Sequence, residues 1–553
     1  MIVNFISWLW ILGTAFCIGY GTLRLIKGRE GTAKTGMDFI LVWGLCLITV
    51  YAQFFSLFYK LGVASSIVLG SCSLLILLLL CREVWQYVLA FVRKKYFVVF
   101  CIISIVLGGL FLWLSSGYAN QDDTLLYHAQ AIRWLEEYGV VKGLGNLHNR
   151  FAYNSAFFSL QALYSLKFAA RQSIHSLNSL AAVIFSLYGI CTLSVWKKKT
   201  FQISDFLKLG ILIHCGRLEN LWILSSSGSD IMTMLAVLYL SSKWMELVED
   251  KCQDMVEYGL VCLIAAWAFT LKLSAGLMIL LAVYPAVWLL KERRWKTILG
   301  FVVGAAVIIF PFLARNVIIS GYLLYPYTAI DLFHVDWKMP ASLVDYDRIE
   351  IMAWGRGMTN PEQYHATFTQ WFPSWYQDLL ISYKLLFCAN ILCIAGLTAV
   401  FVIRAVKKKI SIPLVTFFIV SVIQINMWFW SAPLVRYGGA YLLLLPAMAL
   451  GMIFPMLSTR TISYGLSAIG ILGFMFCAGR FDHIYVAHSW KRPQEYFYTE
   501  DRGVLLDNVV IYVPADGGCV GYHSFPGTTG ESRLTSIELR GEGLKDGFRA
   551  KEK

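Results

Sequence analysis

Apolar runs of about twenty residues, separated by short polar clusters, recur along almost the whole chain. A helix needs about 20 apolar residues to cross the hydrocarbon of a bilayer. On that measure spans are expected near 2–23, 37–58, 61–81, 96–114, 174–196, 206–225, 229–247, 256–270, 275–290, 297–314, 380–403, 410–430, 436–457 and 462–478, about fourteen in all. The run 153–168 is apolar but short, and reads as a re-entrant or interfacial helix, with a fifteenth span as the alternative. Three hydrophilic stretches interrupt the pattern, at about 115–173, 316–379 and from Gly479 to Lys553. In the last, Val509-Val510-Ile511-Tyr512-Val513 reads as a strand and Gly517-Gly518 as a turn, so a small α/β appendage is expected on an all-α polytopic membrane protein.

Composition agrees with the pattern. Hydrophobic residues make up 58% of the chain and charged ones 15%, where a soluble domain carries about 45–50% and 25%. A soluble enzyme, a disordered regulator and a secreted disulfide scaffold are all excluded. Lys and Arg outnumber Asp and Glu by 47 to 34, a net charge of +13, and their placement is ordered. Every second loop is basic, at Arg24/Lys27/Arg29/Lys34, Arg82/Arg93/Lys94/Lys95, Lys197/Lys198/Lys199, Lys291/Arg293/Arg294/Lys296 and Arg404/Lys407/Lys408/Lys409, except Glu246 to Glu257, which is acidic around Lys251 and which a rule that counts basic residues tolerates. Basic short loops stay cytoplasmic, so both termini and all three hydrophilic stretches are expected outside. The positive charge marks the inner loops and implies no nucleic-acid partner. Most of the cysteines sit in apolar runs at no metal-binding spacing. Met1–Leu23 lacks a basic start and reads as a retained helix. The outer stretches carry no Asn-x-Ser/Thr sequon, which favours a bacterial cytoplasmic (inner) membrane over an endoplasmic-reticulum one.

Candidate chemistry gathers on the outer side. Directly after the fourth span comes Asn120-Gln121-Asp122-Asp123. Paired carboxylates at a membrane surface can hold a divalent cation such as Mg or Mn, or one can act as a general base whose pKa the other raises. The alternative is that Asp122 or Asp123 caps the helix 125–138, whose Leu125, Ala129, Ile132 and Leu135 would form an interfacial face. Lys272, Arg315 and Arg436 fall at the outer ends of spans, where costly charges suggest function. Together they would suit a lipid-linked phosphate, with plain headgroup anchoring as the alternative. Arg217 and Glu219, two apart on one helix, are not expected to pair. Asp230 is either a helix cap or a further carboxylate of the site. His128, Arg133, His148 and Arg150 are candidates for sugar or phosphate contact, and Cys519 with His523 lacks a third ligand at a known spacing.

An acidic pair in the first long outer loop, just after a span, resembles the GT-C superfamily of membrane glycosyltransferases, and most closely a bacterial membrane-protein family within it. The matching stretches are Asn120 to Asp123, Gly143 to Arg150, Arg315-Asn316 with Ser320 to Pro326, Pro433 to Tyr437, and Cys519 to Pro526 with Leu539-Arg540-Gly541. The likeness runs from about residue 96 to the C-terminus. It implies a GT-C-like core over 96–478, with additional helices at 1–95 and the tail at 479–553. It further implies transfer of a sugar from a polyprenyl-phosphate donor to an extracytoplasmic glycan, lipid or protein acceptor, in building cell-envelope polysaccharide. Asp122 or Asp123 would be the base, with Lys272, Arg315 and Arg436 on the donor phosphate and Tyr325 and Tyr437 near the substrates. Two departures stand out: the pair has no spacer, and three spans precede the one that leads into the acidic loop. A lipid-linked glycan polymerase or ligase, or a non-enzymatic transporter or flippase, are the rival readings. A transporter would place charges at mid-membrane, whereas these gather at the outer ends.

Overall fold

The computed structural model describes residues 1–553 except 120, 171, 199, 458–459, 480–488, 516–517 and 552–553. Asn120 of the acidic motif, Lys199 of one basic loop and Gly517 of the expected turn therefore lie outside the described residues.

Helices dominate. Among the described residues nine are long and apolar enough to cross a membrane: Ile2–Lys34, Met37–Ser56, Phe97–Leu114, Asp230–Glu249, Leu273–Lys291, Trp295–Ser320, Ile381–Val406, Ile412–Ser431 and Arg460–Cys477. A tenth is reached if Val63–Leu79 and Cys81–Val92, bent by 82° at their junction, form one broken span. The expected count of about fourteen is higher because apolar runs continue where helices do not. Leu177–Cys191 and Met255–Leu271 stop short of span length. The run 206–225 is cut at Arg217, whose extended backbone (φ −70°, ψ 133°) separates Ile203–Gly216 from Leu218–Trp222. That break also overturns the expectation for Arg217 and Glu219, which form an ion pair because they no longer share a regular helix.

The first two helices belong to the same core as the rest. They cross closely, since a Cβ on Gly19 or Gly44 would run into the backbone carbonyl of the other helix, the small-residue contact that membrane helices use. Polar ties cross the bundle: Asn4 donates to the Ser115 carbonyl at 2.9 Å, Thr14 and Tyr164 hydroxyls meet at 2.7 Å, and Trp267 donates to Thr49 at 3.1 Å. The run 153–168 forms the nine-residue helix Ala156–Tyr164, buried throughout and too short for a fifteenth span.

A second core lies outside the bundle. Ile132, Trp134, Leu147 and Phe151 from the first hydrophilic stretch pack with Tyr322, Met339 and Val344 from the second and Ile511, Val513, Ile537 and Phe548 from the tail. The tail strands form two antiparallel pairs, β1 (Asp501–Leu506) with β2 (Val509–Pro514) and β3 (Ile537–Leu539) with β4 (Phe548–Ala550). The three stretches thus share one side of the molecule, where the amino group of Met1 also donates to the Ser489 carbonyl at 2.8 Å. The first basic loop meets the second through Arg24 and Glu83 and the loop before Met255–Leu271 through Lys27 and Glu257.

This second core corrects the reading of 125–138. Thr124–His128 is a π-helical turn leading into Ala129–Glu137, in which Gln130 and Glu136 are as buried as Ile132 and Leu135. No face is left for a membrane surface because the tail covers the polar one.

Candidate active site

The acidic loop is held by a serine turn. Ser225 donates its hydroxyl to the Tyr118 carbonyl, and the Gln121 amide donates to the Ser226 hydroxyl at 3.1 Å. Asn178 fixes that turn from behind, donating to the carbonyls of Ser226 and Gly228 at 2.9 and 2.8 Å. Gly228 has no room for a Cβ, which would strike the Gln121 side chain.

Asp123 then opens the π-helical turn, but its side chain makes no capping bond. Its carboxylate instead accepts from the Arg436 guanidinium at 2.7 Å. Asp122 is exposed, and among the described residues it has no hydrogen-bond or ion-pair partner. The capping alternative fails for Asp123, and Asp122 is left available.

Arg436 reaches a second carboxylate, with Nε 3.9 Å from Asp230, and Asp230 is also held by the Lys272 ammonium. Lys272 lies over the Tyr437 ring at 3.6 Å, and Arg436 donates to the Tyr437 hydroxyl at 3.0 Å. Four charges therefore alternate in a chain, Asp123–Arg436–Asp230–Lys272, closed by an aromatic ring. Each stands where regular helix stops. Asp230 is the first residue of Asp230–Glu249, and its cap position is Ser229. Lys272 has extended backbone (φ −158°, ψ 129°) between Met255–Leu271 and Leu273–Ala282. Arg436 sits on the four-residue helix Val435–Gly438. Indole N–H groups anchor the approach to that helix, Trp375 donating to the Pro433 carbonyl at 3.0 Å and Trp428 to the Leu434 carbonyl at 2.9 Å. Irregular backbone at such depth is tolerated where it is buried in protein or lines a cavity.

The Arg436 side chain is 41% exposed, against 17% for Asp123 and 12% for Asp230. It is the open cation of the group and keeps N–H donors for a further anion. Below the chain lies His128, pushed down to about 4 by burial against the opposing pull of Asp123 and Asp230. It is a neutral imidazole 3.4 Å from the Thr124 hydroxyl. Among the described residues no three of His, Cys, Asp and Glu gather as metal ligands.

The other expected residues lie elsewhere. Arg315 is buried on Trp295–Ser320, donates to the Ser159 hydroxyl, and lines a small cavity with Trp134, Asn154 and Phe158. It is not part of the charged chain, which contains two of the three expected cations. Arg133 donates to the carbonyls of Tyr522 and His523 at 2.6 and 2.9 Å and lies over the Phe525 ring, holding the tail. His148 accepts from the Arg150 amide at 3.1 Å and meets the Thr529 hydroxyl at 2.7 Å. Tyr325 donates to Asp347 at 3.0 Å. His523 stacks on Tyr498 at 3.9 Å.

Asp347 went unnoticed in the sequence. Fully buried, it accepts from Asn149 at 2.6 Å and from the Tyr153 and Tyr325 hydroxyls, with Arg150 3.5 Å away and bonded onward to Glu350 at 2.7 Å. It ties the first hydrophilic stretch to the second. One acid among seven in a polar loop carries no signal of burial.

Residues 1–443 match a family described as a domain of unknown function (DUF8201). The chain belongs to that family. No curated protein matches the chain. The family match begins at residue 1 and runs unbroken past residue 95, and it takes in Asp122, Asp123, Asp230, Lys272, Arg436 and Tyr437. The strands of the tail fall outside it.

Proposed function

We propose that this DUF8201 protein is a GT-C-type membrane glycosyltransferase, with its site on the extracytoplasmic side of a bacterial cytoplasmic membrane and both termini on that side. It would move a sugar from a polyprenyl-phosphate donor to an extracytoplasmic acceptor. One observation carries the reading: Asp122, exposed and without a partner among the described residues, adjoins in sequence the first member of a charged chain whose most open member is Arg436. Transfer with inversion needs the acceptor hydroxyl to attack the anomeric carbon as the bond to the phosphate oxygen breaks. Asp122 takes the hydroxyl proton, and Arg436 and Lys272 receive the charge that develops on the departing phosphate. Phosphate leaves readily, so one base and two cations suffice. Asp123 and Asp230 hold those cations in place before the donor arrives. A divalent cation has a place here only if the donor phosphate supplies ligands beside the Asp122–Asp123 pair, as Mg²⁺ bound through one or two carboxylates and a phosphate would.

The test is genetic and chemical. Deleting the gene should remove a sugar from the surface glycan, read by mass spectrometry. Loss of a general base costs about 10²–10⁴ in rate, so Asp122→Asn should insert normally and fail to restore that sugar. Full restoration by Asp122→Asn would overturn the reading.

A further inference from the structure

An open cleft of about 490 Å³ lies between the first hydrophilic stretch and the tail, walled by Tyr118, Gln172, Arg492, Glu495, Phe497 and Tyr498 among others. That volume falls in the range of small-molecule sites, about 300–1,000 Å³. We propose that this cleft binds the acceptor saccharide, an assignment that rests on the glycosyl-transfer reading of the charged chain.

The wall has the chemistry a sugar requires. The C–H faces of a pyranose are apolar and pack on the electron-rich faces of aromatic rings, while its hydroxyls need polar partners. Tyr498 is 74% exposed, and its ring lies parallel to that of His523 at 3.9 Å with an interplanar angle of 3°. The imidazole backs one face of the ring and is itself fixed, its Nε2 3.1 Å from the Tyr496 carbonyl. The phenol is thus a braced platform held on the surface. Tyr118 and Phe497 stack at 4.4 Å and form a second aromatic element of the same wall. Polar groups stand between them. Gln172 donates to the Gln494 carbonyl at 3.1 Å, and its own carbonyl oxygen is buried with no donor among the described residues. Arg492 and Glu495 are exposed and form no ion pair among the described residues.

Position ties the cleft to the chemistry. The Gln494 amide donates to the Ser116 carbonyl at 3.0 Å, fastening the tail to the segment that leads into the acidic loop. Asp122 follows four residues after Tyr118, so their Cα atoms are at most about 14 Å apart. A short oligosaccharide seated on the platform can present its end to the base. The cleft's tail wall also lies outside the family match, whereas the charged chain lies inside it.

The test uses the full chain in detergent. The probe is the oligosaccharide pool released by mild acid from the surface of cells that lack the gene, with binding followed by saturation-transfer NMR. The wild-type chain and Tyr498→Trp should retain oligosaccharide, and Tyr498→Ala should weaken binding about tenfold, the worth of one aromatic stack. Glu495→Gln should weaken it by a smaller factor. No retention by the wild-type chain, or wild-type binding by both Tyr498→Ala and Glu495→Gln, overturns the cleft assignment. The transfer reading is scored separately by the surface glycan of Asp122→Asn cells, so either can fail alone.

Discussion

Arg315 and Arg436 show what a residue's setting adds to its identity. The sequence places both arginines at an end of an apolar run, where they are equivalent. Position along the chain gives height in the membrane but says nothing of which way around the helix a side chain faces. Arg436 turns toward Asp123 and Asp230, while Arg315 turns toward Ser159 in the protein interior. Arg315→Met should therefore leave donor binding unchanged and the thermal midpoint no lower, because an unpaired buried charge is itself costly. Arg436→Met should weaken binding of a polyprenyl-phosphate sugar tenfold or more, since a charge-assisted hydrogen bond contributes about 1.5–3 kcal/mol. Isothermal titration of both variants decides it, and equal losses would return Arg315 to the phosphate site. A second residue-scale prediction concerns pH. Burial pushes His128 down to about 4 and His148 down to about 3, against about 6.5 in an unfolded chain. Between those values the unfolded chain binds protons that the folded one refuses, so stability rises with pH from about 4 to 6.5 and is lost as pH falls through that window. Each imidazole contributes a slope of about 1.4 kcal/mol per pH unit. Thermal unfolding in detergent from pH 7 to 4.5 should show it, with a shallower slope in His148→Gln. A flat profile would mean that these rings are hydrated.

Elements were legible wherever an apolar run and a helix coincide, and illegible where polar residues break the helix without breaking the run. The run 206–225 reads as one span, yet the backbone turns extended at Arg217 between two helices. The candidate site lies instead at expected boundaries, with Asp230 at the start of 229–247, Lys272 between 256–270 and 275–290 and Arg436 at the start of 436–457, but apolar counting does not say that these ends meet. The amphipathic reading of 125–138 failed for a different reason. Its polar residues, Gln130 and Arg133, are occupied by carbonyls nearly four hundred positions away in the sequence. Period-3.6 logic identifies a polar face and cannot say what covers it. The segment bearing Arg436 makes the matching prediction. Trp375 holds it through one indole hydrogen bond to Pro433, and such a bond contributes about 1 kcal/mol. Trp375→Phe keeps the aromatic packing and removes the donor. Donor affinity should fall about fivefold while the thermal midpoint stays within a few degrees. Unchanged affinity would show that Arg436 needs no such anchoring.

At the scale of the whole molecule, the alternation of charge led to the expectation that the three hydrophilic stretches share one side, and the second core joins them. Which side faces the cytoplasm is a prediction with its own measurement. In a chain freed of its exposed native cysteines, single cysteines placed at Asp345 and Ser532 should react with an impermeant maleimide in whole cells, and one at Lys408 should not. The reverse pattern would put the charged chain on the cytoplasmic face and exclude an extracytoplasmic reaction. What the sequence could not show is that the two loops and the tail close over one core. That core has a consequence for how the protein is made. Trp134 is synthesised early, yet two of the rings that pack on it, Phe525 and Phe548, come only with the tail, and the Phe548 amide donates to the Lys142 carbonyl. The acidic loop leaves the ribosome long before the tail exists, and it waits with its apolar side chains uncovered while the intervening helices are threaded into the membrane. A chain stalled before residue 509 would hold every member of the charged cluster and still present an open, sticky surface to any quality-control protease on that side.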